Sequence, residues 1–447
     1  MLNRREFGSM LAGAALSAPA PKQTSRPNIV IILADDLGYG DLGCYGHPTI
    51  RTPNLDRMAQ EGARFTQFYS AAPVCTPSRV ALMTGRLPGR SGLTRVLGPQ
   101  ATGGLSPTEI TIAEALKPLG YSTACVGKWH LGHRPEYLPT RHGFDSYFGI
   151  PYSNDMSPKT NPTRQDGPLT PLIRGDKVIE EEPDQNFLTQ RYTEEATKFI
   201  RSSAQAGKPF FLYMPHTFPH VPLHASPKFR GKSPRGLYGD VVEEVDWSVG
   251  EVLKTLREAG ADRNTLVVFS SDNGPWLIKK EDGGSAGLLR EGKASTWEGG
   301  MREPFLARWP GRIPANVVTQ AFGTLMDLFP TCVKISGAKM PGDREYDGAD
   351  LSPVLFENSA GREPLHFYYN AEDLRAVRKG PWKLHLATNE PATGGGLSKH
   401  EPPLLYNLTV DPSEKYDVAA ANPAVIRDLV GLIGQHKKTM KFGELQR

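Results

Sequence analysis

The sequence predicts an α/β protein: a large, mostly parallel central sheet flanked by helices, followed by a small C-terminal unit with a short antiparallel sheet and one helix. Three observations carry this. Continuous apolar, β-branched runs, the pattern of strands buried on both faces, alternate with helical segments as in parallel sheets. Past about residue 358 the texture changes to short strand-like pieces parted by Gly, Pro and Asn. The chain of 447 residues exceeds one ordinary domain.

The elements follow in order. "RPNIVIILADDLG" opens the fold, with Asn28 to Ala34 as a buried strand. "TPNLDRMAQEGARF" reads as a short helix, with Thr52 or Asn54 near its start and Gly62 near its end. "SPTEITIAEALKPLGY" is another, with Ser106 and Glu109 spaced as a capping box. "STACVGKWH" returns to a strand. "RYTEEATKFIRSSAQAGKPFFLYM" is helix, glycine turn, strand, and "YGDVVEEVDWSVGEVLKTLREAGADRNTLVVFSSDNG" repeats that order with a longer helix. In the C-terminal part, "PLHFYYN", "LRAVRKGPWKLHLA" and "PPLLYNL" are short strands, and a last helix starts at Asn422-Pro423. The expected division is an export segment over 1–24, a catalytic domain over 25–358 and a small α+β domain over 359–447.

The N-terminus "MLNRREFGSMLAGAALSAPAPKQTS" places Arg4-Arg5 ahead of a mild apolar segment that ends in small residues. That order is a twin-arginine export signal and predicts a periplasmic or secreted protein. Composition narrows the rest. Apolar residues are 38% and charged residues 22%, which fits a soluble globular enzyme better than a disordered or fibrous chain. A net charge of +4 without a Lys/Arg block argues against nucleic acid as a partner. No run reaches the length of a membrane span, which argues against stable membrane insertion. The 4 cysteines are scattered without a CxxC pair, so neither a zinc knuckle nor a disulfide framework is supported.

Chemistry enters at the strand ends. Asp35-Asp36 close the first strand and Asp272-Asn273 close the strand in "TLVVFSSDNG". Either pair alone reads as an Asx turn. Together, at one sheet edge, their hard oxygens suit Ca²⁺ or Mg²⁺ rather than zinc. The stretch "SAAPVCTPSRVALMTGRLPGR" adds a cysteine at the mouth of a short helix, with Pro77 early and Gly85 closing it. The free N–H groups there favour an anion, and Arg79, one turn above Cys75, shares its face and suits an oxyanion. A thiolate nucleophile and a buried structural cysteine both remain open on this reading.

Cys-x-Pro-x-Arg followed by Leu-x-Thr-Gly-Arg resembles the signature of the type I sulfatases. "ADDLGYGDLGCYG", "GYSTACVGKWHLG", "HGFDSYFGIPYSND", "SSDNG", "GKASTWEGGMREP" and "LYNLTVDPSEKYD" are similar to further landmarks of that family, the third to its arylsulfatase A-like branch. The resemblance implies an alkaline phosphatase-like sandwich. It implies that Cys75 is converted by a formylglycine-generating maturation enzyme to formylglycine (3-oxoalanine), whose hydrate is the nucleophile. Asp35, Asp36, Asp272 and Asn273, with the modified position 75, would bind the metal, usually Ca²⁺, with Mg²⁺ as the alternative. Arg79 would hold the hydrate, and Lys128 and His130 would flank it. His220 would contact the sulfate and serve the leaving group, with His216 as the other candidate. Lys293 would contact sulfate oxygens, and Ser153 the substrate.

The implied reaction converts a small-molecule or glycan sulfate ester to an alcohol or phenol plus inorganic sulfate. Attack at sulfur spreads negative charge over its oxygens, which calls for cations. The nucleophile needs a base and the departing oxygen an acid. If residues 128–130 are extended, Lys128 and His130 share one face and Trp129 takes the other. Specificity is expected in the loops 153–190 and 276–290. Competing readings are a phosphonate monoester or phosphodiester hydrolase of the same superfamily, a non-catalytic sulfated-glycan-binding relative and a plain thiol hydrolase. Asn273, where many of the phosphorus enzymes carry a histidine, favours the sulfatase.

Overall fold

The structure is a computed structural model that describes residues 26–161 and 167–447. The export segment expected over 1–24 lies outside the described residues.

Ten strands form one sheet: β1 (Asn28–Ala34), β2 (Ala63–Tyr69), β3 (Ser122–Val126), β4 (Ser146–Gly149), β5 (Pro171–Arg174), β6 (Lys177–Glu181), β7 (Phe210–Pro215), β8 (Thr265–Ser271), β9 (Arg302–Arg308) and β10 (Val317–Thr324). Their order is β10-β2-β9-β8-β1-β7-β3-β4-β5-β6. The central strands β8, β1, β7, β3 and β4 are parallel. β9 runs antiparallel to both β8 and β2, so β2 points the same way as the central strands. This direction places the carboxyl ends of β2, β8, β1, β7, β3 and β4, and the entry to β9, along a single sheet edge. Ligands of open α/β sheets sit at that edge.

Strand β1 is buried along its whole length, as its unbroken apolar run requires. Its alternate side chains feed two cores. Ile29, Ile31 and Leu33 pack with Phe65, Leu82 and Phe211, while Val30 and Ile32 pack with Tyr192, Ile200, Val245 and Val249. The last four belong to the long helices Leu188–Gln205 and Leu237–Glu258. Each such side chain contributes about 1.5–3 kcal/mol by leaving water.

One helix differs from expectation. The capping box over 106–109 does not form: the helix spans Ile112–Leu116, and the box is Thr111 with Glu114. Glu114 N donates to Thr111 Oγ1 at 3.1 Å and Thr111 N to Glu114 Oε2 at 2.8 Å. Both tetrapeptides have the right spacing, but the second is followed by Ile112, Ala113 and Leu116, which bury in the core. Ser106 bonds Thr108 and Glu109 bonds Arg86 instead.

The C-terminal strands β11 (Leu365–Asn370), β12 (Asp373–Lys379), β13 (Trp382–Glu390) and β14 (Gly395–Asn407) form a separate antiparallel sheet in that order. The helix Pro423–Thr439 lays Leu429 and Ile433 on Val377, Leu384 and Leu405.

Candidate active site

Each central strand delivers side chains to the shared edge. Asp35 and Asp36 follow β1; Asp272 and Asn273 follow β8; His216 and His220 follow β7; Lys128 and His130 follow β3; Ser153 follows β4. The chain after β2 delivers the helix Cys75–Thr84, and the segment before β9 delivers Lys293. All these residues are buried, Lys293 being the most exposed at 8%.

The cysteine helix begins as its sequence predicts. Cys75 is its first residue, no side chain caps it, and Gly85 ends it in the left-handed region at φ 70. Arg79 bonds Asp272 Oδ2 through Nε at 2.9 Å and Nη2 at 2.8 Å, donates to the Lys128 carbonyl at 2.6 Å, and sets Nη2 3.3 Å from Asp35. The rigid fork thus ties the ends of β8, β3 and β1 together. Thr76 Oγ1 donates to the His130 carbonyl at 2.9 Å, fastening the helix start to the same loop.

Residues 128–130 are not a regular strand. Gly127 stands at φ 132, with the Pro215 carbonyl 1.8 Å from where a Cβ would be, and His130 at φ 60. Neighbouring carbonyls hold the backbone instead: Lys128 N on Pro215 O, Trp129 N on Ile150 O and His130 N on Pro151 O. Trp129 goes into the core, while Lys128 Nζ bonds Asp35 Oδ2 and lies 3.2 Å from Ser153 Oγ.

Lys293 Nζ donates to Asp36 Oδ2 at 2.8 Å and lies 3.6 Å from Cys75 Sγ. Cys75 Sγ is 3.5 Å from Asp35 Oδ1. His220 sets Nε2 3.6 Å from Asp36 Oδ2 and 3.4 Å from Ser153 Oγ. One donor atom each from Asp35, Asp36, Cys75 and His220 lie within 4.8 Å of one another. Asp272 lies beside this group through its bonds to Arg79 and to the Asp36 N–H at 3.2 Å. Asn273 Nδ2 donates to Asp36 Oδ1 at 2.7 Å, and its Oδ1 is buried with no hydrogen-bond partner among the described residues. Three buried carboxylates beside that unpartnered amide oxygen make an oxygen-rich donor set. It fits a hard cation of the Ca²⁺ or Mg²⁺ type.

Burial and charge pull these groups apart. Burial works against ionisation of Asp35, yet the Lys128 and Arg79 cations hold its carboxyl well below the usual range. Burial pushes Asp36 up to about 7 against the pull of Lys293, helped by the charges of Asp35 and Asp272. Burial also raises the Cys75 thiol well above its ordinary value, against the pull of Lys128 and Lys293. Burial, Lys128 and Arg79 hold His130 well below the usual imidazole value, and burial and Lys293 do the same to His220. His130 Nε2 lies 3.0 Å from the Leu97 carbonyl, which can only accept. Nδ1 of His130 is therefore the unprotonated nitrogen, and it has no partner among the described residues. By the same logic His220 Nδ1 donates to the Val221 carbonyl at 2.6 Å and Nε2 faces the pocket.

The structure brings Asp35, Asp36, Cys75, Arg79, Lys128, Ser153, His220, Asp272, Asn273 and Lys293 into one neighbourhood, with His130 bonded into it through Thr76. It separates the two candidate histidines. Neither ring nitrogen of His216 meets a partner among the described residues, its ring lies 6.5 Å from Tyr192, and burial lowers its pKa to about 4. Sequence reasoning missed Trp276, half-buried with its ring 5.4 Å from His220 and 4.5 Å from Lys293 Nζ. It also missed the Leu97 carbonyl that fixes the His130 tautomer. The expectation of a specificity loop at 276–290 was the one signal for Trp276.

Residues 27–338 match the model of the sulfatase family, and residues 361–447 match the model described as the C-terminal region of aryl-sulfatase. N-acetylgalactosamine-6-sulfatase of Rattus norvegicus is 41% identical over 98% of this chain and 90% of its own length. Arylsulfatase A of Homo sapiens is 42% identical over 94% of this chain and 88% of its own. The crystal structure of the PsFucS1 sulfatase from Pseudoalteromonas sp. superposes with a TM-score of 0.87 at 32% identity, covering 94% of this chain and 92% of that one.

Proposed function

The chain belongs to the sulfatase family and is a sulfuric ester hydrolase; from that premise we propose how its residues divide the work. Position 75 is converted to formylglycine by a maturation enzyme. Its hydrate would supply a geminal diol, one hydroxyl of which would bond sulfur as the ester S–O bond breaks, and the other of which, on deprotonation, would re-form the aldehyde and release sulfate. Asp35, Asp36, Asp272 and Asn273, together with position 75, hold a Ca²⁺ ion, or Mg²⁺ in its place. Such a cation would polarise sulfate oxygens and favour the ionised nucleophile.

Arg79, Lys128 and Lys293 surround the thiol position and neutralise the charge that spreads over the sulfuryl oxygens. Their carboxylate partners fix their directions in advance, so little reorganisation accompanies the reaction. His130 takes the proton of the second hydroxyl at its free Nδ1. His220, whose unprotonated Nε2 faces the pocket, contacts the sulfate and serves the departing oxygen with a proton first taken up at that nitrogen from the attacking hydroxyl, and Ser153, bridging His220 and Lys128, contacts the substrate. The names of the relatives support a sulfated sugar or aryl sulfate as substrate.

The observation that carries the proposal is the thiol of Cys75 at the helix mouth, flanked by Lys293 and by Asp35 with its two cations. The test compares an aryl sulfate with an aryl phosphodiester. Higher kcat/KM on the sulfate is expected, with Cys75→Ala abolishing turnover; a clear preference for the diester would overturn the assignment.

The division near residue 358 and export by the Arg4-Arg5 signal belong to the same proposal. The break between the two family matches supports the first. Among the described residues no helix is long and apolar enough to cross a membrane. Changing Arg4 and Arg5 to Lys is expected to leave the protein in the cytoplasm; unchanged export would count against the signal.

A further inference from the structure

The lysine in this site is carried by a segment under backbone strain. Ala294, next to Lys293, lies at φ 70 and Glu291 at φ 60, both in the left-handed region that residues with a Cβ avoid. Such a conformation persists only where surrounding bonds over-determine it.

At Ala294 those bonds come from two sides. Its N–H donates to the carbonyl of Pro73, two residues before Cys75, at 2.8 Å. Its carbonyl accepts from Asn389 Nδ2 at 2.7 Å and from Asn370 Nδ2 at 3.0 Å. Both asparagines belong to the C-terminal sheet, at the end of β11 and in β13. Asn389 binds the segment a second time, since its own carbonyl accepts from Ser295 Oγ at 3.0 Å. One residue thus links the lead-in to the nucleophile, the base of Lys293 and the C-terminal sheet.

We propose that Asn370 and Asn389 are positioning residues for sulfate ester hydrolysis: by clamping the Ala294 carbonyl they hold the strained turn that aims Lys293 at the sulfuryl group. The inference rests on the sulfatase reading of the site and adds a task for the C-terminal sheet. Two amide donors saturate both lone pairs of one carbonyl, which fixes the peptide plane more tightly than either bond alone. Lys293 then starts from a held backbone, from which Nζ reaches Asp36 Oδ2 at 2.8 Å and Cys75 Sγ at 3.6 Å. Removing the clamp leaves the lysine in place chemically but misaimed, and a displacement near 1 Å in a catalytic group costs about 100-fold.

The test is a double-mutant cycle on an aryl sulfate, with rates expressed per formylglycine-bearing chain as counted by peptide mass. N370A/N389A is expected to lower kcat/KM by about 10- to 100-fold in the wild-type background and by less than about 2-fold in the K293A background, because the clamp acts through Lys293. An equal loss in both backgrounds overturns the inference. E372A is the structural control. It removes the bonds that the turn between β11 and β12 makes to Thr94 and Arg95, at 2.5 and 2.7 Å, and leaves both amide bonds to the Ala294 carbonyl. It is expected to lower the melting temperature and spare kcat; a loss of kcat matching that of the clamp variant would also overturn the inference. If the double variant does not fold, N389A and N370A singly carry the same cycle. A wild-type protein that carries formylglycine yet hydrolyses no sulfate ester would overturn the sulfatase reading and this inference together; an active wild type with an additive cycle overturns this inference alone.

Discussion

Lys293→Ala isolates one cation of the site. The ammonium is 3.6 Å from Cys75 Sγ, the position a formylglycine oxygen would take when sulfur is lost, and 2.8 Å from Asp36, with 8% of the residue exposed. At an effective dielectric of about 20, two unit charges 3.6 Å apart interact by about 5 kcal/mol. The reaction shifts only part of a charge toward the sulfuryl oxygens, so about half of that, or ~2–3 kcal/mol, is available to the transition state, in line with the loss of one oxyanion donor. At ~1.4 kcal/mol per decade this is a fall in kcat of about 30- to 200-fold. The assay is steady-state hydrolysis of an aryl sulfate, normalised to formylglycine content and checked for unchanged fold by circular dichroism. Lys293→Arg, which keeps the charge, should recover part of the loss. A fall below about 3-fold in the alanine variant, or no difference between Ala and Arg, would refute the claim that this charge faces the reacting group.

Three other perturbations follow from the structure. Asp36→Ala removes a carboxylate from the proposed cation site. Metal analysis should find Ca²⁺ or Mg²⁺ on the purified wild type and little on the variant, and only the wild type should lose melting temperature on chelation, by an amount worth about 2.7 kcal/mol at 100 times Kd. Gly127→Ala forces a side chain into φ 132 and into the Pro215 carbonyl, so denaturation should report a loss of about 3 kcal/mol or no soluble protein; a near-neutral result would contradict the local geometry. His142 is buried with neither ring nitrogen partnered among the described residues, and burial lowers its pKa from 6.5 to about 4. The unfolded chain therefore takes up the proton first. The stability held above pH 6.5 is lost as pH falls toward 4, by up to about 3 kcal/mol, and His142→Phe should flatten that part of the profile measured by urea unfolding.

The elements readable in the sequence are those whose local signal matches their burial. The runs in β1, β7 and β8 are apolar on both faces, and the helices Leu188–Gln205 and Leu237–Glu258 each show one broad apolar stripe. Strands β2, β5, β6 and β9 gave weaker cues. β2 mixes Arg64, Thr66 and Gln67 among its aromatics, and β6 is a mostly exposed edge strand. β9 follows directly on the short helix Glu298–Met301, which contains the glycines of "WEGG". Their places depend on partners distant in the chain.

The site followed the same rule. Asp35, Asp36, Asp272 and Asn273 were visible because strand ends in a parallel sheet must converge. The choice between His216 and His220 was not, since both lie in one proline-rich loop and only the turn after Phe218 decides which ring reaches Asp36. The amides of Asn370 and Asn389 carry no sequence signal at all, because β11 and β13 meet the 291–296 turn only through tertiary packing.

The central claim is that side chains from six strand ends gather around a formylglycine at position 75. The most direct measurement is peptide mass analysis of residue 75 across enzyme preparations matured to different extents, paired with aryl sulfate turnover. The account predicts a rate proportional to the fraction of chains whose residue 75 is lighter than cysteine and resists alkylation. A preparation in which residue 75 is wholly an alkylatable thiol, yet turns over at the full rate, would contradict it.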